Sequence, residues 1–266
     1  WNTGSVKRLL RPAAVAVGVL AVAAVVLSLH PAPPTPEPAA PESFAGSEAC
    51  RECHAAAYES WRASHHARAE EPLDPARHGA AFGDDPRVVE VGQGWRLERS
   101  GGRFVVRTAA EGGVEGAFTA VRAIGVDPLW QLLVEGPGGR LQTTSIAYDP
   151  ARHDWFDVFG DEVRRPGEWS FWAGRGMTWN SMCASCHTTD LIKNYDAAAD
   201  AYATTFVELG VGCESCHGPS AGHVAARREG RADAPRPRRK VLDVCGPCHA
   251  RREELLETHR PGEPFL

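Results

Sequence analysis

The chain has 266 residues, enough for one or two domains, and a formal net charge of −5, which argues against nucleic acid as a partner. Its eight cysteines fall in pairs two residues apart, with none left over. That even, clustered usage excludes a lone reactive thiol and directs attention to what each pair binds.

In chain order, Lys7, Arg8 and Arg11 lie in a basic tail spanning 1–12, followed by the uncharged and mostly apolar run Ala13–Leu29. A helix of that length spans about 25 Å, slightly short of the ~30 Å hydrocarbon core. The basic end faces the cytoplasm, so the rest of the chain is expected outside the membrane. The run is read as an uncleaved transmembrane anchor in preference to a signal segment, because prolines crowd the positions after it and make a poor cleavage site. Residues 30–46 (Pro31, Pro33, Pro34, Pro36, Pro38, Pro41) form a semi-rigid, extended linker. The portion beyond the linker is therefore expected on the periplasmic or extracytoplasmic side.

The chemistry sits in four motifs: Cys50-Arg-Glu-Cys53-His54, Cys183-Ala-Ser-Cys186-His187, Cys213-Glu-Ser-Cys216-His217 and Cys245-Gly-Pro-Cys248-His249. C-x-x-C-H is the attachment pattern of c-type haem. Two thiols add across the two vinyl groups of one porphyrin, and the next residue offers imidazole to the iron. Zinc ribbons also use C-x-x-C but need two pairs per metal and no histidine after each. Disulfides closing such short loops stabilise little. Four haem c groups with iron are therefore expected, with His54, His187, His217 and His249 as proximal ligands.

Residues 47–80 are expected to hold the first haem segment, its motif followed by a helix over Ala55–Ala69 that Pro72 and Pro75 stop. Residues 81–175 read as a small β-rich insert. Val88–Val91, Trp95–Glu98, Phe104–Arg107, Phe118–Ile124 and Leu141–Ala147 are short strand-like runs, parted by Ser100-Gly101-Gly102, Gly112-Gly113 and Gly136-Pro137-Gly138-Gly139. Residues 176–266 read as a three-haem segment with one short helix per haem, and further sequence is expected downstream. The fold class expected is a mainly α or irregular multihaem domain built around four haems, with porphyrin replacing much of the side-chain core. Trp155, Trp169, Trp172 and Trp179 are expected to pack against porphyrin edges and loops. Arg227 to Lys240 is read as a solvated basic loop.

Beyond the proximal set, the leading candidates for distal iron ligands are His66 and His223, then His65, with His78, His153 and His259 behind them. His223 follows the Gly218-Pro219 loop, too short a tether for it and His217 to bind opposite faces of one haem, so it is assigned to a different iron. Two function classes remain. One is an electron carrier between a membrane-side donor and an exported redox protein. The other is a haem oxidoreductase acting on a small nitrogen or sulfur compound at an open iron. Six candidate distal histidines for four irons favour the carrier.

Several runs carry a family resemblance: Trp61-x-x-Ser64-His65-His66 after the first motif, Trp179-Asn180 and Thr188-Thr189 around the second, and Val211-Gly212 with Gly218-Pro219 and His223 around the third. With Ile124-Gly125-Val126-Asp127-Pro128 and Gly138-Gly139-Arg140-Leu141, they resemble exported multihaem cytochromes related to the tetrahaem electron acceptor of hydroxylamine oxidoreductase. The branch in question is often followed by tetratricopeptide repeats. The resemblance implies electron transfer, bis-histidine haems and further haem motifs or repeats downstream. Ala67 to Glu70 supply no methionine after the paired histidines, so no Met ligand is carried over.

Overall fold

The computed structural model describes residues 43–83, 88–91, 94–232 and 241–250. The described residues fall in one compact unit. The run Ala13–Leu29 lies outside the described residues, as do most of the linker and His259. Among the described residues no helix is long and apolar enough to cross a membrane.

The first haem segment opens with a 3-10 turn, Ser47–Cys50, and continues into helix α1, Ala55–Arg62. The helix stops seven residues short of the expected Ala69, because the chain then turns for long-range pairing. Ser64 N–H donates back to the Trp61 carbonyl, and the His66 carbonyl accepts from both Ala69 N–H and the distant Val211 N–H. Strand β1 (Glu70–Pro72) and helix α2 (Pro75–His78) follow. Asp74 caps α2 by accepting from Ala76 and Arg77 N–H, with Pro75 at the first helical position.

Seven strands then run consecutively: β2 (Val88–Val91), β3 (Trp95–Ser100), β4 (Arg103–Ala109), β5 (Glu115–Ile124), β6 (Trp130–Glu135), β7 (Leu141–Asp149) and β8 (Asp154–Asp157). Each pairs antiparallel with the next, and β1 adds to β5 through Glu70 opposite Ile124. Register shifts at Ala120/Arg122 and Gln131/Leu133 bend β5–β7, and β2 and β8 touch, so the antiparallel sheet curls on itself. Alternation in β3 and β4 buries Trp95, Leu97, Phe104 and Val106 on the inner face. There they meet Phe82, Trp130, Tyr148, Trp155 and Trp172 in one apolar core.

These strands correct the expected fold class. The sheet reaches from Glu70 to Asp157 and has its own aromatic core, so it is the body of the described chain and not a small insert in a mainly α or irregular domain. The reason is geometric. A C-x-x-C-H motif needs only about one helical turn to bring its three side chains together, so the haem segments contribute little helix, while the alternating runs between them contribute long strands.

After β8 come helices α3 (Trp179–Met182) and α4 (Ala184–His187), then the short strands β9 (Thr188–Thr189), β10 (Tyr195–Asp196), β11 (Ala201–Tyr202) and β12 (Glu208–Leu209). Helices α5 (Cys213–His217), α6 (Ala221–Arg228) and α7 (Val241–His249) complete the described chain. Strand β7 is buried along nearly its whole length because both faces are covered. The sheet core covers one face, and the second haem motif covers the other. Leu141 N–H donates to Asn180 Oδ1 at 2.9 Å, and Thr143 Oγ1 lies 3.6 Å from Cys183 Sγ.

Candidate haem-binding site

Each motif is built on about one turn of helix. The first follows the Ser47–Cys50 turn and ends where His54 leads into α1; the second occupies α3–α4, the third is α5, and the fourth is the C-terminal end of α7. On such a turn residues i, i+3 and i+4 share a side, which places both thiols and the imidazole together.

The histidines pair across motifs. The His54 ring lies 6.5 Å from the His223 ring, centre to centre, with 26° between the planes. The His66 ring lies 6.1 Å from that of His249 at 75°. Two imidazoles bound on opposite sides of one metal, with bonds of about 2 Å and ring centres about 1.2 Å beyond each nitrogen, stand about 6.4 Å apart. Both pairs match that spacing. A cavity of about 770 Å³ lies beside them, lined by Cys50, Cys53 and His54 of the first motif and Cys213, Cys216 and His217 of the third. Trp61 also lines it, its indole N–H donating to the Val211 carbonyl at 2.8 Å. Burial pushes the Cys50 thiol up to about 11, with the neighbouring Cys213 thiol adding to the shift. The residues present thus fit covalently bound haem: paired thiols, a proximal imidazole and, for the first and fourth motifs, a facing imidazole.

His187 is held differently. Its Nδ1 lies 2.9 Å from the Ala69 carbonyl, which also accepts from Gly125 N–H. Burial lowers its basicity, which keeps the ring in the neutral form that a metal ligand requires. The hydrogen bond to Nδ1 fixes the tautomer and leaves Nε2 for a metal. The turn 64–69 therefore serves two motifs at once, offering the His66 ring toward His249 and a backbone carbonyl to His187.

Three acidic side chains that the sequence reading passed over support these segments. Glu214, between the thiols of the third motif, is fully buried and accepts N–H bonds from Ala45, Gly46 and Ser220 at 2.7–3.0 Å. Glu208 accepts from Ser47 Oγ at 2.7 Å, and that hydroxyl accepts in turn from Cys213 N–H at 2.8 Å. Glu70, also fully buried, holds Arg122 at 2.9 Å and the Trp179 indole N–H at 2.7 Å. Glu214 was visible only as a variable position of a motif; its role appears once the Ser43–Ser47 segment is seen to return against it.

The remaining candidates fall elsewhere. His65 is exposed, and among the described residues its ring faces no other histidine ring. His78 is buried against Trp130, accepts from Asp74 N–H on Nδ1 and reaches Glu71 through Nε2 at 3.3 Å, so both nitrogens are committed to packing. His153 sits in the β7–β8 turn with φ of 56°, beside Tyr148. Trp155, Trp172 and Trp179 are buried, the first two in the sheet core, and Trp169 is 62% exposed. Of the basic stretch, residues 233–240 lie outside the described residues.

The chain matches the cytochrome c554 and c-prime family over residues 49–85 and 171–218. Those segments hold the first three motifs and flank strands β2–β8. No curated protein matches the chain. Among solved structures it is similar to the outer cell wall cytochrome OcwA, with 19% identity and a TM-score of 0.49 over 82% of this chain and 40% of that one. The chain thus spans less than half the length of that structure. The repeated C-x-x-C-H motifs and the family match together support a multihaem c-type cytochrome with covalently bound haem c.

Proposed function

We propose that the chain is a tetrahaem electron carrier. The observation that carries this reading is the facing of imidazoles at ligand spacing, His54 with His223 and His66 with His249. An iron with histidine on both axial positions has no site for a substrate and exchanges electrons only. His187 and His217 are the proximal ligands of the other two haems. When bound, each haem takes up and releases one electron at its iron. The chain's own part is to hold neighbouring attachment sites close together. The Ser47–Cys50 turn packs on α5, α5 packs on α7, and Cys186 Sγ lies 3.9 Å from the Pro247 carbonyl of α7. Each attachment site therefore neighbours at least one other, which the proposed electron path requires.

The partners we propose are redox proteins, with a membrane-side donor and an exported acceptor, of the kind served by the acceptor of hydroxylamine oxidoreductase. The haem-bearing part sits outside the membrane and is tethered through 13–29. The test is a pyridine haemochrome assay joined to electron paramagnetic resonance of the oxidised protein. Four haems per chain are expected, with those of the first and fourth motifs low-spin. Fewer than three haems, or a high-spin signal accompanied by turnover of nitrite or hydroxylamine, would replace the carrier with the oxidoreductase reading.

A further inference from the structure

A second cavity, of about 350 Å³, adjoins the haem-binding one along α1. Tyr58 and Trp61 line both. They share one side of the helix, a turn apart, with ring centres separated by 5.4 Å. Tyr58 is buried and Trp61 half-buried, and the Trp61 indole is fixed by its bond to the Val211 carbonyl. An aromatic wall thus stands between the outer cavity and the first motif, whose Cys50, Cys53 and His54 line the inner one.

The outer cavity is cationic where it meets solvent. Arg62 at the end of α1, Arg68 on the turn 64–69 and Arg77 on α2 line it, together with Glu59 and Glu71. Glu71 is the inner acid, 16% exposed; its carboxylate meets Arg77 and lies 3.6 Å from Arg68 Nε. The arginines stand further out, at 37% for Arg68, 50% for Arg77 and 65% for Arg62. Of the two acids only Glu59 is comparably exposed, 3.3 Å from Arg62 Nε. Charges beyond about 8 Å are largely screened at physiological salt, so a molecule arriving here meets this local excess and not the net charge of −5. Guanidinium forks match carboxylates in bidentate pairs, which makes a surface of Asp and Glu their natural complement.

Resting on the reading above that the first motif carries a haem, we propose that this cleft is the docking surface for an acidic one-electron redox protein, with Trp61 as the contact through which the electron passes. Arg62, Arg68 and Arg77 hold the partner's carboxylates and set its orientation. Trp61 supplies a rigid ring that reaches from the docked surface to the wall of the haem cavity, so the electron need not cross open solvent. One electron leaves the reduced partner, one ferric iron becomes ferrous, and no bond forms or breaks.

The test uses the holoprotein and, as probe, a flavodoxin with an acidic face around its flavin. Its anionic hydroquinone gives up one electron to become the neutral semiquinone. Stopped-flow reduction of the holoprotein is expected to slow as salt rises, the sign of attraction, although the chain is negative overall. Arg62→Gln combined with Arg77→Gln should lower the second-order rate constant about tenfold at low salt and flatten its salt dependence. Arg62→Lys with Arg77→Lys should keep most of the rate. Binding is read separately with both proteins oxidised: the holoprotein should broaden the amide resonances at the acidic face of labelled flavodoxin, and the double Gln variant should not. Trp61→Leu should leave that broadening in place and slow the first-order step at saturating flavodoxin. A rate that rises with salt, an unchanged rate or broadening in the double Gln variant, or an unchanged first-order step in Trp61→Leu would overturn the proposal. If the double variant does not fold, Arg62→Gln alone decides, since that side chain is the most exposed of the three. The mass of the peptide around Cys50 and Cys53 separates the two failures. A chain without haem there defeats the haem reading, whereas a loaded chain indifferent to the arginines defeats only this one.

Discussion

His65 and His66 are neighbours in sequence, and the backbone decides between them. Val211 N–H and Ala69 N–H both close on the His66 carbonyl, which pins the turn and aims the His66 ring at His249. Nothing local in Trp-Arg-Ala-Ser-His-His signals this, because the deciding bond comes from a residue more than a hundred positions away. His66→Ala is therefore expected to leave every haem attached, since thioethers form on cysteine, while one haem turns high-spin or takes water. His65→Ala should leave the spectrum unchanged. Paramagnetic resonance and visible spectra of the two variants check this, and the reverse result would exchange the two histidines. The His223 assignment was more legible. Its short tether argued against a shared iron with His217, and the ring lies beside His54. The tether alone could not choose among the other three motifs.

At the scale of elements, the runs that alternate or sit between glycine turns were readable, and β2, β3, β4, β5 and β7 stand where the pattern puts them. Strand β6 escaped because Leu132, Leu133 and Val134 are all buried, so the run has no alternation to read. Strands β1 and β8 are only three and four residues long. The joint between sheet and haem segments is equally silent in sequence. Glu70 on β1 reaches Arg122 on β5 and Trp179 on α3, and the Arg122 guanidinium stacks over the Trp179 and Phe206 rings at 5.1 and 5.3 Å. Removing the cation leaves Glu70 buried without its charge partner, so Arg122→Ala is expected to cost about 3 kcal/mol of stability. Burial already raises the Glu70 pKa, and loss of Arg122 raises it further. The sign follows: the variant's penalty is full where Glu70 must be ionised and shrinks as falling pH lets it protonate. Denaturant midpoints at about pH 8 and about pH 5 measure both. Equal losses at the two values would show that packing, not charge, holds the joint.

The whole molecule divides by what its core is made of. The sheet packs Trp95, Trp130, Trp155, Trp172, Phe82 and Phe104 on one another, with Trp155 and Trp172 donating their indole N–H groups to the Ala81 and Ala109 carbonyls at 2.7 Å. That core is complete in side chains alone, which the cysteine spacing gave no means of foreseeing. The haem segments are the opposite case. Their helices run only four to nine residues, below the length at which a helix sustains itself, and their histidines face one another at metal-ligand spacing. They are expected to owe their order to the cofactor, as metal-dependent domains do. Chain produced without haem attachment should therefore keep the sheet and lose the rest. Its far-ultraviolet circular dichroism should retain the strand signal. Amide exchange should stay slow across β3–β7 while the segments around residues 179–187 and 213–217 exchange at unfolded rates, where the holoprotein protects both. Uniformly fast exchange would mean that the haems stabilise the sheet as well. Slow exchange throughout would mean that the polypeptide alone arranges the histidine pairs, and the axial sites would then exist before any haem arrives.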